Sequence, residues 1–227
     1  MVVEVRSSLP HCSKAMDGNQ HKVVANILLL GAENVGKSAL TVRFLTKRFI
    51  GEYGDIESIY SHIDKIDGRE ISFNIWDSLY PQSCESSESV TEEQLRWADG
   101  IVLVYSICDR SSFEVVQQQV ALIQKLSSSF SSSVPMVVVG NKRDLQHRRV
   151  VSSEEGRMLA LSADCGFFEV SAAEAYHGVL LVFRGLHELI KEARGVKKGA
   201  AGIMGIVRTV SAVFSKKRGV GPLFYER

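Results

Sequence analysis

Gly31-Ala32-Glu33-Asn34-Val35-Gly36-Lys37-Ser38 is the stretch on which the fold of this chain turns. It satisfies G-x-x-x-x-G-K-[ST]. Its glycines let the backbone curl until several N–H groups converge on phosphate oxygens. Lys37 is then placed to reach the β and γ oxygens, and the Ser38 hydroxyl to ligate Mg²⁺. The same letters also fit a plain strand–helix turn with an exposed lysine, but the neighbours favour a phosphate cradle. Val23 to Leu30 is an apolar run with β-branched residues at its start, as in a buried strand. From Lys37 on, Leu40, Phe44 and Leu45 share one side of a helix, and Arg43, Lys47 and Arg48 the other. That helix, with Ala39 in its first turn, directs its positive end at the phosphates.

Downstream, IYSHIDKI and EISFNIWD flank Asp67-Gly68, a strong hairpin dipeptide. Ile71, Phe73 and Ile75 alternate with Ser72, Asn74 and Trp76, as in a strand with one face more buried. Residues 78–93 are polar and serine-rich, which predicts a loop. Gly100 to Ile107 and Pro135 to Gly140 are apolar runs of the kind buried parallel strands carry. Phe113 to Leu126 between them has a helical pattern, Phe167 to Val170 is a short last strand, and Val179 to Ala193 is an amphipathic helix. Strands that alternate with helices predict an α/β fold in three layers, a mostly parallel sheet with helices on both faces. Residues 1–20 are aperiodic and are expected to form a flexible arm.

Composition narrows the function classes. Of 227 residues, 45% are hydrophobic and 23% charged, ordinary values for a globular chain. Twenty-seven basic and 26 acidic residues give a net charge of +1, which disfavours a whole-chain nucleic-acid binder. That balance hides an asymmetry. From Lys191 on there are nine Lys/Arg and two acids, a net of +7, against −6 for the residues before it. Cys12, Cys84, Cys108 and Cys165 are scattered, as reduced thiols of a cytosolic protein would be. The N-terminus has no apolar signal core and no glycine after Met1, so neither secretion nor myristoylation is expected.

Two further motifs follow strand ends. Asn141-Lys142-Arg143-Asp144-Leu145 comes directly after the run ending at Gly140. A carboxylate at the C-terminal edge of a parallel sheet can accept from both the ring N–H and the exocyclic amine of guanine. Adenine lacks that donor pair, so Asp144 would select guanine. Glu169-Val170-Ser171-Ala172-Ala173 follows the last strand and can offer the Ala172 N–H to the base oxygen.

These three elements, in this order, resemble the Ras superfamily of small GTPases. The resemblance covers residues 21–194. RFLTKRFIGEY, WADG, DRSSF and GNKRDL look like the Ras-related and estrogen-regulated growth inhibitor-like branch. It implies a P-loop G domain with a six-stranded sheet, one strand antiparallel, and five helices. It also implies GTP or GDP with Mg²⁺. Carried over, Gly31 to Ser38 would hold the phosphates, Phe49 would pack on the guanine, and Asn141, Lys142 and Asp144 would hold the base. Asp77, ending ISFNIWD, would be the acid behind the Mg²⁺ site.

The departures concern the γ-phosphate. Glu33 stands where Ras has glycine, near phosphate charge and where an activator's arginine would enter. Between Tyr53 and Tyr60 the chain is one residue shorter than the family's spacing, and the threonine that binds Mg²⁺ has no counterpart. Ser58 is the nearest hydroxyl, on the wrong side of Glu57. The family's D-T-A-G-Q is Asp77-Ser78-Leu79-Tyr80-Pro81, with Tyr80 for the glycine and Pro81 for the water-orienting glutamine. Ala173 replaces the lysine that stacks on the base. No catalytic group is intact. A nucleotide-binding signalling protein with slow or absent hydrolysis is the expectation. Two other readings stay open: a weakly active GTPase resting on Lys37 and Mg²⁺, and a pseudo-GTPase acting as a nucleotide-independent interaction module. Glu33 and Ala173 favour the last; Lys37, Ser38 and Asp144 oppose it.

The sequence ends Phe224-Tyr225-Glu226-Arg227 without a C-a-a-X box, so prenylation is not expected. Ile203, Ile206, Val207, Val210, Val213 and Phe214 fall on one helical face, bracketed by Lys197-Lys198 and Lys216-Lys217-Arg218. Residues 195–227 thus have the pattern of an amphipathic basic helix for weak contact with an anionic membrane or a protein partner. Gly199, Gly202 and Gly205 weaken the helix, which leaves a disordered or self-docked tail as the alternative. A cytoplasmic protein is expected, with membrane-peripheral or nuclear residence as variants.

Overall fold

Ala25, Ile27 and Leu29 face one side of the sheet and Leu28 and Leu30 the other, and all five are buried. A strand covered on both faces needs an unbroken apolar run, and residues 27–30 at the C-terminal end of Val23–Leu30 supply it. This is a computed structural model. It describes residues 4–6, 23–51, 57–66, 68–79, 90–127 and 134–198.

The elements run β1 (Glu4–Arg6), β2 (Val23–Leu30), α1 (Lys37–Thr46), β3 (Ser58–Ile66), β4 (Arg69–Asp77), α2 (Glu92–Trp97), β5 (Gly100–Ser106), α3 (Arg110–Ser127), β6 (Met136–Asn141), a 3-10 turn (Arg143–Arg148), α4 (Ser153–Ser162), β7 (Gly166–Glu169) and α5 (Tyr176–Lys198). The sheet order is β1-β3-β4-β2-β5-β6-β7. β4, β2, β5, β6 and β7 are parallel, and β3 runs antiparallel to β4. The expected six-stranded mixed sheet is β2 to β7.

One layer packs α1 and α5 on the sheet, with Phe44 stacked on Phe183 at a centroid distance of 4.1 Å. The other layer takes Leu95 of α2, Phe113, Val116 and Val120 of α3 and Ala160 of α4. Cradle, base motif and last loop all leave the sheet at the C-terminal ends of β2, β6 and β7. That edge is where ligands bind in open parallel sheets.

Three features depart from the sequence reading. Within the 1–20 arm, Glu4–Arg6 pair antiparallel with β3, Val5 opposite Tyr60, and add a seventh strand. Three residues are too few for a period-2 pattern. Within 78–93 the expected loop ends in the N-cap of α2: Thr91 Oγ1 accepts from Gln94 N–H at 3.2 Å, and Gln94 Oε1 accepts from Thr91 N–H at 3.0 Å. This capping box was visible as T-E-E-Q, but six helical residues are too short for periodicity. On β4, Trp76 is buried along with Ile75, because α2 covers the second face.

Candidate functional site

Gly31 closes β2 at φ +139°, and a Cβ there would lie 2.1 Å from the Val104 carbonyl oxygen. Gly36 caps α1 at φ +96°, and a Cβ there would lie 2.4 Å from the Asn141 side-chain nitrogen. Both glycines are therefore required by backbone geometry and by space. With Asn34 at φ +56°, they bend the chain into the concave turn a phosphate needs. The Lys37 ammonium lies inside this turn, 9% exposed, donating to the Gly31 and Ala32 carbonyls at 2.9 and 2.8 Å.

Asn141 ends β6 and is buried. Its Nδ2 donates to the Val35 carbonyl at 2.8 Å, and its Oδ1 accepts from the Ala172 N–H at 3.1 Å. One side chain thus joins the cradle, the base motif and the last loop. Lys142, at φ +65°, reaches back to donate to the Asn34 carbonyl at 2.6 Å. Ser171 donates its hydroxyl to Asp144 Oδ1 at 2.6 Å. Asp144 lies second in the 3-10 turn, after Arg143, and Leu145 after it has non-helical angles, φ −90° and ψ 38°.

A cavity of about 450 Å³ lies between these segments. Its wall includes Glu33, Asn34, Gly36, Lys37, Ser38 and Ala39 of the cradle. Asn141, Lys142, Asp144 and Leu145 form the opposite side, with Ala172 and Ala173 beside them. Phe49, half exposed, and Asp77 complete the expected set. Gly31, Ala32, Val35 and Ser171 stand behind the wall: Val35 is core, and Ser171 acts through Asp144. Gly51, Ser78 and Leu79 line it without having been singled out. Ser78 is held by its hydroxyl on the Leu29 carbonyl at 2.6 Å, and its place after Asp77 was the available signal.

Asp77 is 4% exposed. Burial raises its pKa above the usual carboxylate range, while its hydrogen bond with Ser38 and the Lys37 charge pull it down. Hydroxyl and acid beside a phosphate cradle suit a hard cation held largely by phosphate and water oxygens. Among the described residues no cluster of three His, Cys, Asp or Glu forms an all-protein metal cage. The donor set therefore fits Mg²⁺ bound together with a nucleotide. Ser58 pairs with Asp77 across β3 and β4, is buried, and is not on the cavity wall. Glu57 before it accepts from the Trp76 indole N–H at 2.6 Å. Tyr80 and Pro81 lie outside the described residues, as does the stretch from Tyr53 to Ile56.

A family model described as "Ras family" matches residues 26–192. The chain belongs to the Ras family. This Ras-family chain is 39% identical over 198 residues to Ras-related and estrogen-regulated growth inhibitor-like protein of Bos taurus, covering 85% of this chain and 96% of that one. It is 40% identical over 169 residues to human Ras-related and estrogen-regulated growth inhibitor, with 74% and 80% covered. It is 40% identical over 167 residues to Ras-like protein family member 11B of Danio rerio, with 72% and 68% covered. The match takes in the whole cavity wall of this Ras-family domain.

Proposed function

We propose that this chain is a signalling protein that binds GDP or GTP with Mg²⁺ and hydrolyses GTP slowly or not at all. The carrying observation is the Asn141 side chain, which links the cradle at Val35 to the last loop at Ala172 and so puts phosphate and base motifs on one cavity. Lys37 and the cradle N–H groups take the phosphates, Asp144 takes guanine, and Phe49 flanks the base. Ser38 and Asp77 are the residues that would hold Mg²⁺. When bound, Mg²⁺ neutralises phosphate charge.

The reading of slow hydrolysis is supported by what stands at the γ-phosphate end. Pro81 has no side-chain donor or acceptor to orient a water, and Tyr80 replaces a glycine whose N–H would meet the γ-phosphate. Ser58 is buried in the sheet opposite Asp77 and is not on the cavity wall. A ligand shifts an equilibrium only by its differential affinity for the two states, so the switch between GTP and GDP forms is blunted. Residues 21–194 carry this function, with Glu4–Arg6 paired on the edge of the same sheet, and 195–227 give weak contact with anionic membrane. Effector proteins complete the signalling role.

Two measurements test this. The nucleotide released from protein purified with Mg²⁺ is identified; GDP or GTP in near-stoichiometric amount is expected, and none overturns nucleotide binding. Single-turnover hydrolysis of preloaded GTP is then followed. A rate equal to that of an ordinary small GTPase overturns the slow-hydrolysis reading.

A further inference from the structure

Arg149 is not part of the cavity wall, yet it touches both segments that frame the base. Its Nε and Nη2 donate to Gln146 Oε1 at 3.0 and 2.8 Å. Its Nη1 donates to the Val151 carbonyl at 2.9 Å and to Glu169 Oε1 at 2.6 Å. Its Nη2 donates to Glu169 Oε2 at 3.0 Å. All five N–H donors of the guanidinium are thus used. Gln146 belongs to the turn that carries Asp144, and Glu169 ends β7, two residues before Ser171.

The pair is largely out of solvent, with side chains 16% and 13% exposed. A two-point guanidinium–carboxylate fork fixes orientation as well as distance, which a single point charge does not. Orientation is what this turn lacks by itself. It is a 3-10 turn, entered through Lys142 at φ +65° and broken at Leu145, so its own hydrogen bonds hold it weakly. Three links span the gap between turn and strand end. The Arg143 N–H donates to the Val170 carbonyl at 3.1 Å at the start of the turn. Ser171 holds Asp144 on the cavity side. Arg149 holds Glu169 at the far end of the turn, behind the cavity. The Glu169 stem also packs over Gly140: a Cβ at Gly140 would lie 3.2 Å from Glu169 Cγ, next to Asn141. The fork therefore braces the sheet edge from which Asn141 and Asp144 both project.

We propose that Arg149 is a positioning residue for base recognition, and that its fork with Glu169 holds the Asp144 turn against the Ser171–Ala172 loop and sets how strictly the site demands guanine. This rests on the guanine-nucleotide reading above. Asp144 discriminates through two donors of the base, the ring N–H and the exocyclic amine. Inosine keeps the first and lacks the second. A turn held in place rewards the second donor; a turn free to tilt does not.

The test compares GDP and inosine diphosphate (IDP) binding to the full chain, with Mg²⁺, by competition against a fluorescent guanine nucleotide. Wild type is expected to prefer GDP. Arg149→Ala is expected to shrink the GDP-to-IDP affinity ratio about tenfold, the worth of one charge-assisted hydrogen bond. Glu169→Gln, which keeps one acceptor oxygen, is expected to shrink it less. Arg149→Lys is expected to fall between wild type and Arg149→Ala, since it keeps charge without the fork. An unchanged ratio with both affinities lowered by one factor makes the fork merely structural and overturns the proposal. Should Arg149→Ala not fold, the ratios of Glu169→Gln and Arg149→Lys decide it, and wild-type values in both overturn it. Failure of the wild type to prefer GDP over ADP overturns the guanine-nucleotide reading, and this proposal with it.

Discussion

The Asn141 side-chain amide donates to the Val35 carbonyl at 2.8 Å, joining two motifs that lie 106 residues apart in the chain. Replacing Asn141 with Ala strands that carbonyl and the Ala172 N–H in a buried site. Each unsatisfied group costs about 1–3 kcal/mol. Asn141→Ala is therefore expected to lower stability in denaturant melts and to weaken GDP binding. Asn141→Asp keeps the acceptor for Ala172 and loses the donor, so its stability is expected to fall between the two.

Gly31 and Gly68 both have positive φ, +139° and +78°, but their surroundings differ. At Gly31 a Cβ meets the Val104 carbonyl oxygen, and backbone cannot swing aside as a side-chain tip can. At Gly68 nothing among the described residues lies within 4 Å. Gly68→Ala is expected to cost about 1 kcal/mol of backbone strain. Gly31→Ala is expected to cost more than about 3 kcal/mol, by adding forced displacement of β5 to that strain. Equal midpoints for the two variants in urea would show that the close contact relaxes freely.

His62 and His187 give a pH dependence. Burial is the largest cause that lowers both pKa values below the ordinary one. Around His62, Asp64 opposes that shift and Lys47 adds to it; around His187, Glu188 opposes it and Lys191 and Arg194 add. Between the folded value and about 6.5, the unfolded chain binds the proton more readily than the folded one. Stability is full above the unfolded value and is lost as pH falls through it. The denaturation midpoint is expected to drop from about pH 7 to about pH 5.5. His187→Leu, which replaces a buried ring whose Nδ1 lies 3.5 Å from Glu188 Oε1, is expected to flatten that slope. An identical slope in the variant would remove His187 as its source.

The chain's two tryptophans report on the region before Asp77. Trp76 meets Trp97 edge-to-face at 5.3 Å, and its indole N–H is held by Glu57. This anchor needs no γ-phosphate. Exchange of GDP for a non-hydrolysable GTP analogue is expected to leave intrinsic fluorescence nearly unchanged. Glu57→Ala is expected to shift the emission. A large change on exchange in the wild type would instead reveal a working switch.

The membrane contact proposed for the tail depends on charge. Replacing Lys216, Lys217 and Arg218 with Ala removes roughly 1 kcal/mol of attraction per residue at an anionic surface. Sedimentation with phosphatidylserine vesicles is expected to fall steeply and to be salt-sensitive in the wild type. Equal sedimentation of the variant would end the membrane reading. The tail pattern at Ile203 to Phe214 lies outside the described residues, so this experiment carries that question.

The order strand, cradle, helix, hairpin and alternating strands was legible from Val23 to Ala193 because each signal is local. A buried strand must be largely apolar, Gly36 must precede Lys37 for the chain to curl, and Asp67-Gly68 marks a two-residue turn. The cavity wall was legible for the same reason, as its motifs are contiguous and sit at strand ends. What stayed hidden is short or non-local. Six residues of α2 and three of β1 are too few to show a period. Gly51, Ser78 and Leu79 line the wall beside Phe49 and Asp77, and nearness in sequence to those two residues was their one signal.

Nothing along the chain pairs Arg149 with Glu169 or Asn141 with Val35, because those contacts depend on where β6 and β7 end relative to β2. Residue types and spacing predict the phosphate and guanine groups, and the resemblance to the Ras superfamily predicts the acid of the Mg²⁺ site and the altered γ-phosphate groups. That chemistry belongs to single side chains. Packing alone could say that Ser58 is taken into the sheet opposite Asp77, that Glu57 is anchored on Trp76, and that the Asp144 turn is braced from behind. Those are relations between distant segments, and a linear pattern carries no distance between them.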